Sequence, residues 1–144
     1  MVTAAEPYLE AWRTRMADIA PEGYLCRRAP GPMVVDGIIE EKEWAGAAWT
    51  NDFVDIEGAA KPKPSFRTRV KMQWDDENLY IAAEMEEPQV WATLVKHDSV
   101  IFNDPDFEVF LDPDGDTHEY GEFEMNALNP TWDLFLPKPY KDGG

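Results

Sequence analysis

Turn-forming residues interrupt this chain at intervals of about ten residues, which leaves room only for short segments of regular structure. The 144 residues include 12 prolines and nine glycines. Turn signals occur at Pro30-Gly31-Pro32, Asp75–Asn78, Asp112–Asp116 and Asn129-Pro130. Long helices are therefore disfavoured, and the chain is expected to fold from short antiparallel strands.

Alternating apolar and polar residues mark several segments between these turns as strands. The alternation on either side of the polar turn at Asp75–Asn78 predicts an antiparallel hairpin over residues 66–86. Three further strands are predicted at Phe107–Leu111, His118–Leu128 and Thr131–Leu136. The predicted fold class is all-β, an antiparallel β-sandwich of the immunoglobulin or jelly-roll type.

Weaker signals occur before the hairpin and after it. Short strands are predicted at Tyr24–Ala29, at Val34–Gly37 where one enters a turn, and at Asn51–Ile56. Glu40–Ala48 has helical composition. Residues 87–105 form a long irregular connection, and connections of that length in compact domains are often functional.

The length of the chain fits a single domain with a sizeable core. Residues 8–20 carry apolar side chains at helical spacing between Pro7 and Pro21, which predicts a short amphipathic helix. We therefore predict an N-terminal helical extension over residues 1–21 and a β-sandwich domain over residues 22–144.

The charge of the chain limits its partners. Asp and Glu total 29 against 13 Lys and Arg, giving a net charge of −16. Such a surface repels phosphate backbones and anionic lipids, which disfavours nucleic acid and membranes as partners but not neutral sugars. No segment approaches the ~20 apolar residues of a membrane span, and the N-terminus lacks a secretory signal pattern. The single cysteine, Cys26, excludes an internal disulfide.

The most regular strand carries the main candidate site. Tyr120, Glu122, Glu124 and Asn126 share one face of it, and we call these four residues the polar stripe. Carboxylates and amides offer acceptors and donors to sugar hydroxyls, and Trp132 beyond the next turn offers an apolar surface for a sugar ring. The alternative is a sheet face that is polar only because it faces solvent.

Catalytic readings of the same residues are weaker. Glu122 and Glu124 lie ~6.5–7 Å apart on one strand, near the spacing of inverting glycosidases, but neighbours on one face do not flank a bond from two sides. The only histidines, His97 and His118, accompany no Gly-x-Ser-x-Gly motif.

A second acidic motif lies in a turn. Asp112, Asp114 and Asp116 alternate around Gly115 and offer oxygen ligands for Ca²⁺. A plain Asp-Gly turn is the alternative reading.

Four segments, in order, resemble the family 9 carbohydrate-binding modules. The matching motifs are Val35-Asp36-Gly37 with Glu40 and Trp44, Val70–Ala82 containing Trp74-Asp75 and Leu79-Tyr80, Asn103–Pro113, and Tyr120–Ala127 with Trp132-Asp133. The resemblance implies a β-sandwich that binds soluble sugars or the ends of xylan-type or cellulose-type glycans, with structural calcium. It also implies a secreted, extracellular or periplasmic setting.

The resemblance further implies that a sugar ring lies between two Trp side chains. By position these are Trp91 and Trp132, whereas Trp44 and Trp74 fall in scaffold motifs and are expected in the core. The later strands of that family are expected beyond Gly144, so we also expect an exposed sheet edge that favours a homo-oligomer. Two alternatives remain, a structural or protein-interaction domain without sugar binding and a fragment of a larger glycan-processing enzyme.

Overall fold

The computed structural model describes residues 22–39 and 42–144 of the chain. The predicted helix at 8–20 and the proposed extension over 1–21 lie outside these residues. The described residues divide into two compact units, one ending at Glu86 and the other running from Glu87 to Gly144.

Each unit contains a three-stranded sheet. The six strands are β1 (Arg27–Arg28), β2 (Thr68–Trp74), β3 (Leu79–Met85), β4 (Asp106–Leu111), β5 (Tyr120–Asn126) and β6 (Thr131–Leu136). In the first unit the order is β1-β2-β3, and in the second it is β4-β5-β6. Short 3₁₀ helices occur at Lys42–Trp44, Gly58–Ala60, Ile101–Asn103 and Tyr140–Asp142.

The predicted hairpin forms the centre of the first sheet. Strands β2 and β3 pair antiparallel from Thr68 opposite Met85 to Trp74 opposite Leu79. The turn closes because the Asp75 carboxylate accepts the backbone N–H groups of Glu77 and Asn78, both at 2.8 Å. Strand β1 joins the other side of β2 in parallel.

The weaker predictions for the first unit are mostly wrong. The segment at 24–29 is a strand only at Arg27–Arg28, and the segments at 34–37 and 51–56 are not strands. The latter is instead fixed to β2 near its start, where the N–H groups of Thr50 and Phe53 donate to β2 carbonyls. In the described part of 40–48, a single 3₁₀ turn replaces the helix. These segments are too short for local pattern to outweigh tertiary hydrogen bonding.

The two scaffold tryptophans differ in burial. Trp44 is 6% exposed and belongs to the core of the first unit with Val70, as predicted. Trp74 is 39% exposed, so its predicted place in the core is wrong. Its ring lies instead beneath the Arg28 guanidinium, 5.2 Å from the ring centroid.

The second unit matches the predicted strands closely. Strands β4 and β6 pair antiparallel with the central β5, with Asp106 opposite Asn126 and Glu124 opposite Trp132. Strand β5 begins later than predicted because Thr117 and Glu119 adopt positive φ angles of 69° and 52°, which extended backbone does not allow.

The described residues confirm the all-β class. Their regular structure is strand and short 3₁₀ turn alone. The sandwich packing and its immunoglobulin or jelly-roll type remain predictions. Within the described part of the chain, none of the helices has the length and apolar character needed to cross a membrane.

Candidate functional site

The register of the second sheet defines the face that carries the polar stripe. Residues directly opposite one another in paired strands share a face. The neighbours of the stripe are therefore Asp106, Glu108 and Phe110 on β4, and Trp132, Leu134 and Leu136 on β6. Four carboxylates thus occupy the centre of one sheet face.

The polar stripe is buried, contrary to the alternative reading of a face that is polar only because it faces solvent. Glu122 is 5% exposed and Glu124 only 1%, and Tyr120 and Asn126 are buried as well. Phe123, on the opposite face, is 37% exposed. Alternation therefore assigned the faces correctly, but the polar face is the more buried one.

Non-local hydrogen bonds explain how this polar face tolerates burial. The Glu124 carboxylate accepts the backbone N–H of Phe102 at 3.0 Å. The Asn126 side-chain amide donates to the carbonyl of Leu94 at 3.0 Å. The Tyr140 hydroxyl donates to the carboxylate of Glu122. Three of the four stripe residues therefore hold a segment from outside the sheet.

Asp104 extends this network into the long connection. Its carboxylate accepts the N–H groups of Thr93 and Leu94 at 2.8 Å and the amide of Asn126 at 2.9 Å. Burial raises the pKa of Asp104, but these hydrogen bonds outweigh it and leave the pKa below its usual value. The connection is thereby attached to the sheet at defined points.

Burial changes the acidity of the clustered carboxylates. It is the main cause that raises the pKa of Glu124 to about 7, and the nearby charges of Glu108, Asp106 and Glu122 add to it. Burial also raises the pKa of Asp106 and Glu108. One carboxylate oxygen of Asp106, Oδ2, is buried without a hydrogen-bond partner among the described residues. The cluster therefore favours a shared proton or another cation at neutral pH.

An aromatic pair lies beside the cluster. The rings of Phe102 and Trp132 have centroids 5.8 Å apart and are tilted by 36°. Phe102 is 58% exposed, although its backbone is held by Glu124. Sequence reasoning missed Phe102. The sequence feature that could have identified it is an aromatic residue directly before the Asn103–Pro113 motif. Trp91 is the other Trp, Phe or Tyr in the connection at 87–105.

Comparison with known families identifies the family of this chain. The family model described as carbohydrate family 9 binding domain-like matches residues 35–133. This chain belongs to that family. A search of curated proteins and a search of solved structures found no match. Membership confirms the resemblance found in the sequence and supports a carbohydrate-binding role in general.

Within this family 9-like chain, the two predicted Trp platforms differ in environment. Trp132 is half-buried and packs against Phe102. Trp91 is 51% exposed, and among the described residues its ring pairs with no other aromatic ring. Its role as the second platform stays a prediction.

Three groups of described side chains in this family 9-like chain bring metal-ligating atoms within 4.8 Å of one another. One is the predicted set Asp112, Asp114 and Asp116. Its carboxylates also accept turn N–H groups, such as those of Gly115 at 3.0 Å and Thr117 at 2.7 Å. The other two groups are Asp106 with Glu108 and Glu124, and His97 with Asp98 and Asp133.

Proposed function

We propose that this chain is a non-catalytic sugar-binding module whose ligand packs on Phe102 and Trp132. The observation that carries the proposal is the exposed Phe102 ring, tilted against Trp132 and tied at its backbone to the buried Glu124. Apolar ring faces beside carboxylates suit a sugar, which has C–H groups on one side and hydroxyl groups at its edge.

The spacing of the two rings limits where a sugar can lie. A sugar ring between two aromatic faces, at contact distances of about 3.5–4.0 Å from each, needs the faces about 7–8 Å apart. The centroids of Phe102 and Trp132 are 5.8 Å apart, which is too close. The pair therefore forms one wall of the proposed site, and Trp91 is our proposed second wall.

The polar contacts of the proposed site come from the accessible members of the cluster. Glu108 and Tyr140 are exposed, whereas Glu124 and Asn126 are buried and already hydrogen-bonded. We assign Glu108 and the Tyr140 hydroxyl to direct contact with sugar hydroxyls, and the buried Glu122 to positioning Tyr140. Glu124 and Asn126 then position the binding segment. A neutral xylan-type or cellulose-type oligosaccharide fits this site, because a net charge of −16 does not repel it.

The inaccessibility of Glu124 to a substrate supports the proposal that the chain is non-catalytic. A pKa of about 7 would suit Glu124 for general acid work. However, Glu124 is almost fully buried and one of its oxygens accepts the Phe102 N–H. It is therefore out of reach of a glycosidic oxygen in solvent, and its acidity reflects its structural position.

Calorimetric titration with mono- and oligosaccharides, with and without calcium, tests the proposal. Binding of at least one sugar is expected, with affinity lost in Trp132→Ala and Phe102→Ala. Trp74→Ala is the matched control, since Trp74 is also part-exposed but lies in the first unit. The proposal would be contradicted by a folded chain that gives no heat with any sugar. Equal losses of sugar affinity in all three variants would also contradict it.

A protein-interaction role is the second candidate. The opposite face of the second sheet exposes Phe123 and Phe135, and β4 and β6 are the edge strands of that sheet. We propose that pairing along one of these edges forms a homo-oligomer. Light scattering over a range of concentrations is expected to show a dimer, and a stable monomer throughout would contradict this.

A further inference from the structure

One histidine and two aspartates meet at the surface of the second unit, apart from the polar stripe. His97 and Asp98 lie in the long connection, and Asp133 lies on β6. The His97 Nε2 atom is 3.4 Å from the Asp98 carboxylate and 3.7 Å from that of Asp133. All three side chains are more than half exposed. We call these residues the metal triad.

The other ring nitrogen of His97 contacts Thr131, the first residue of β6. His97 Nδ1 is 2.9 Å from the Thr131 carbonyl oxygen and 3.0 Å from the Thr131 hydroxyl. When Nδ1 donates to the carbonyl oxygen, which can only accept, a neutral His97 has its lone pair on Nε2. That lone pair faces two carboxylates, which when ionised also only accept. A metal ion placed between these three groups would be bound by all of them.

The distances favour a metal ion over a proton. An N–H···O hydrogen bond spans about 2.7–3.2 Å, which is shorter than either separation in the triad. Ligands of a tetrahedral ion with bond lengths of about 2.0–2.2 Å lie about 3.4 Å apart. The observed 3.4 Å and 3.7 Å agree with this second value.

A single carbonyl orients two of the three ligands. The Thr131 carbonyl oxygen accepts both the His97 ring N–H and the backbone N–H of Asp98, the latter at 3.0 Å. Histidine ligands of metals commonly donate their second N–H to a carbonyl or carboxylate in this way, which fixes the ring. Asp133 lies two residues further along the same strand, so the three ligands share one support.

We propose that His97, Asp98 and Asp133 bind a divalent transition-metal ion of the zinc class, with a fourth position open to solvent. One imidazole nitrogen and two carboxylate oxygens suit Zn²⁺, Co²⁺ or Ni²⁺, and the two carboxylates neutralise the charge of the ion. Ca²⁺ prefers six to eight oxygen ligands, which distinguishes this site from the Asp112–Asp116 turn.

Titration of the full, tag-free chain with Zn²⁺ by calorimetry and with Co²⁺ by visible absorbance tests the site. One ion per chain is expected. His97→Ala and Asp133→Asn should each weaken binding by at least about tenfold, since loss of even an outer-shell partner costs about 10–100-fold. The ring ¹⁵N resonance of His97 should shift with Zn²⁺, and that of His118 should not.

The chain offers two matched controls. His118 is its only other histidine and Cys26 its only cysteine, so His118→Ala and Cys26→Ser remove the competing nitrogen and sulfur ligands. Both variants should retain full affinity, and excess Ca²⁺ should not displace Zn²⁺. Absence of metal binding, or binding that survives in His97→Ala, would overturn the proposal. Circular dichroism checks that each variant folds.

Discussion

The buried carboxylate of Glu124 makes a specific prediction about pH and stability. Replacing it in Glu124→Gln removes its charge while keeping an oxygen that accepts the Phe102 N–H. Asp106, whose Oδ2 atom is buried without a partner among the described residues, brings a carboxylate oxygen within 4.8 Å of one of the Glu124 oxygens. The variant therefore keeps the hydrogen bond and loses only the titration.

The size of the effect follows from the pKa. Burial raises the pKa of Glu124 from its ordinary 4.5 to about 7. At about 1.36 kcal/mol per pKa unit, this shift means that folding favours the protonated carboxyl over the ionised carboxylate by about 3 kcal/mol. Between these values the folded chain binds more protons than the unfolded chain, so stability falls as pH rises. The full contribution is present below the unfolded pKa and is lost above about 7.

Urea unfolding followed by Trp fluorescence at a series of pH values measures this. The wild-type free energy of unfolding should fall by about 2–3 kcal/mol from about pH 4.5 to about pH 7.5. Asp106 and Glu108, whose pKa values are also raised, act in the same direction. The Glu124→Gln variant should show a flatter profile and exceed the wild type in stability at the upper end.

A matched control separates burial from net charge. Glu77→Gln also removes one carboxylate, but from the exposed turn between β2 and β3. Its profile should parallel the wild type. Equal slopes in wild type and Glu124→Gln, or a wild-type stability that rises across the window, would refute the reasoning. The carboxyl ¹³C resonance of Glu124, with an expected midpoint near pH 7, provides an independent check.

Three further predictions concern the core, the connection and calcium. Trp44→Ala should cost about 3–5 kcal/mol in urea unfolding, and the part-exposed Trp74→Ala clearly less. The pKa of Asp104 is lowered in the folded chain. Its contribution to stability should therefore be present above its unfolded pKa and should disappear as pH falls through the folded value. A free energy of unfolding that stays constant at acid pH would contradict this. Calcium should raise the melting temperature of the wild type, and Asp114→Asn should reduce that rise; equal rises would argue for a plain turn.

The sequence predicted those parts of the fold that depend on local pattern. The hairpin at 66–86 and the strands β4 and β6 combine alternation with a strong turn signal, and they form as expected. The segments at 34–37 and 51–56 have apolar residues but little alternation. The segment at 51–56 is joined to β2 by an isolated bond from the Phe53 N–H to the Thr68 carbonyl instead of a ladder, and nothing local specifies this bond.

The burial of the site could not be predicted in this way. Alternation placed Glu122 and Glu124 on one face and Phe123 on the other, and hydrophobicity alone would bury Phe123. The partners that reverse this order are the Phe102 N–H and the Tyr140 hydroxyl, which lie 22 and 18 residues away in sequence. Such pairs become visible only once the connection and the C-terminal segment are folded against the sheet.

These partners also separate two roles for Glu124 in the proposed sugar site. If Glu124 positions Phe102 through the N–H bond, Glu124→Gln should bind sugar as the wild type does, because its amide oxygen accepts the same bond. Glu124→Leu leaves the Phe102 N–H without a partner, which costs about 1–3 kcal/mol and releases the aromatic pair. It should therefore lose sugar affinity while its fold, checked by circular dichroism, persists. If instead Glu124 contacts the sugar as a carboxylate, Glu124→Gln and Glu124→Leu should weaken sugar binding alike. Preserved binding in Glu124→Gln is therefore expected only if Glu124 acts by positioning Phe102.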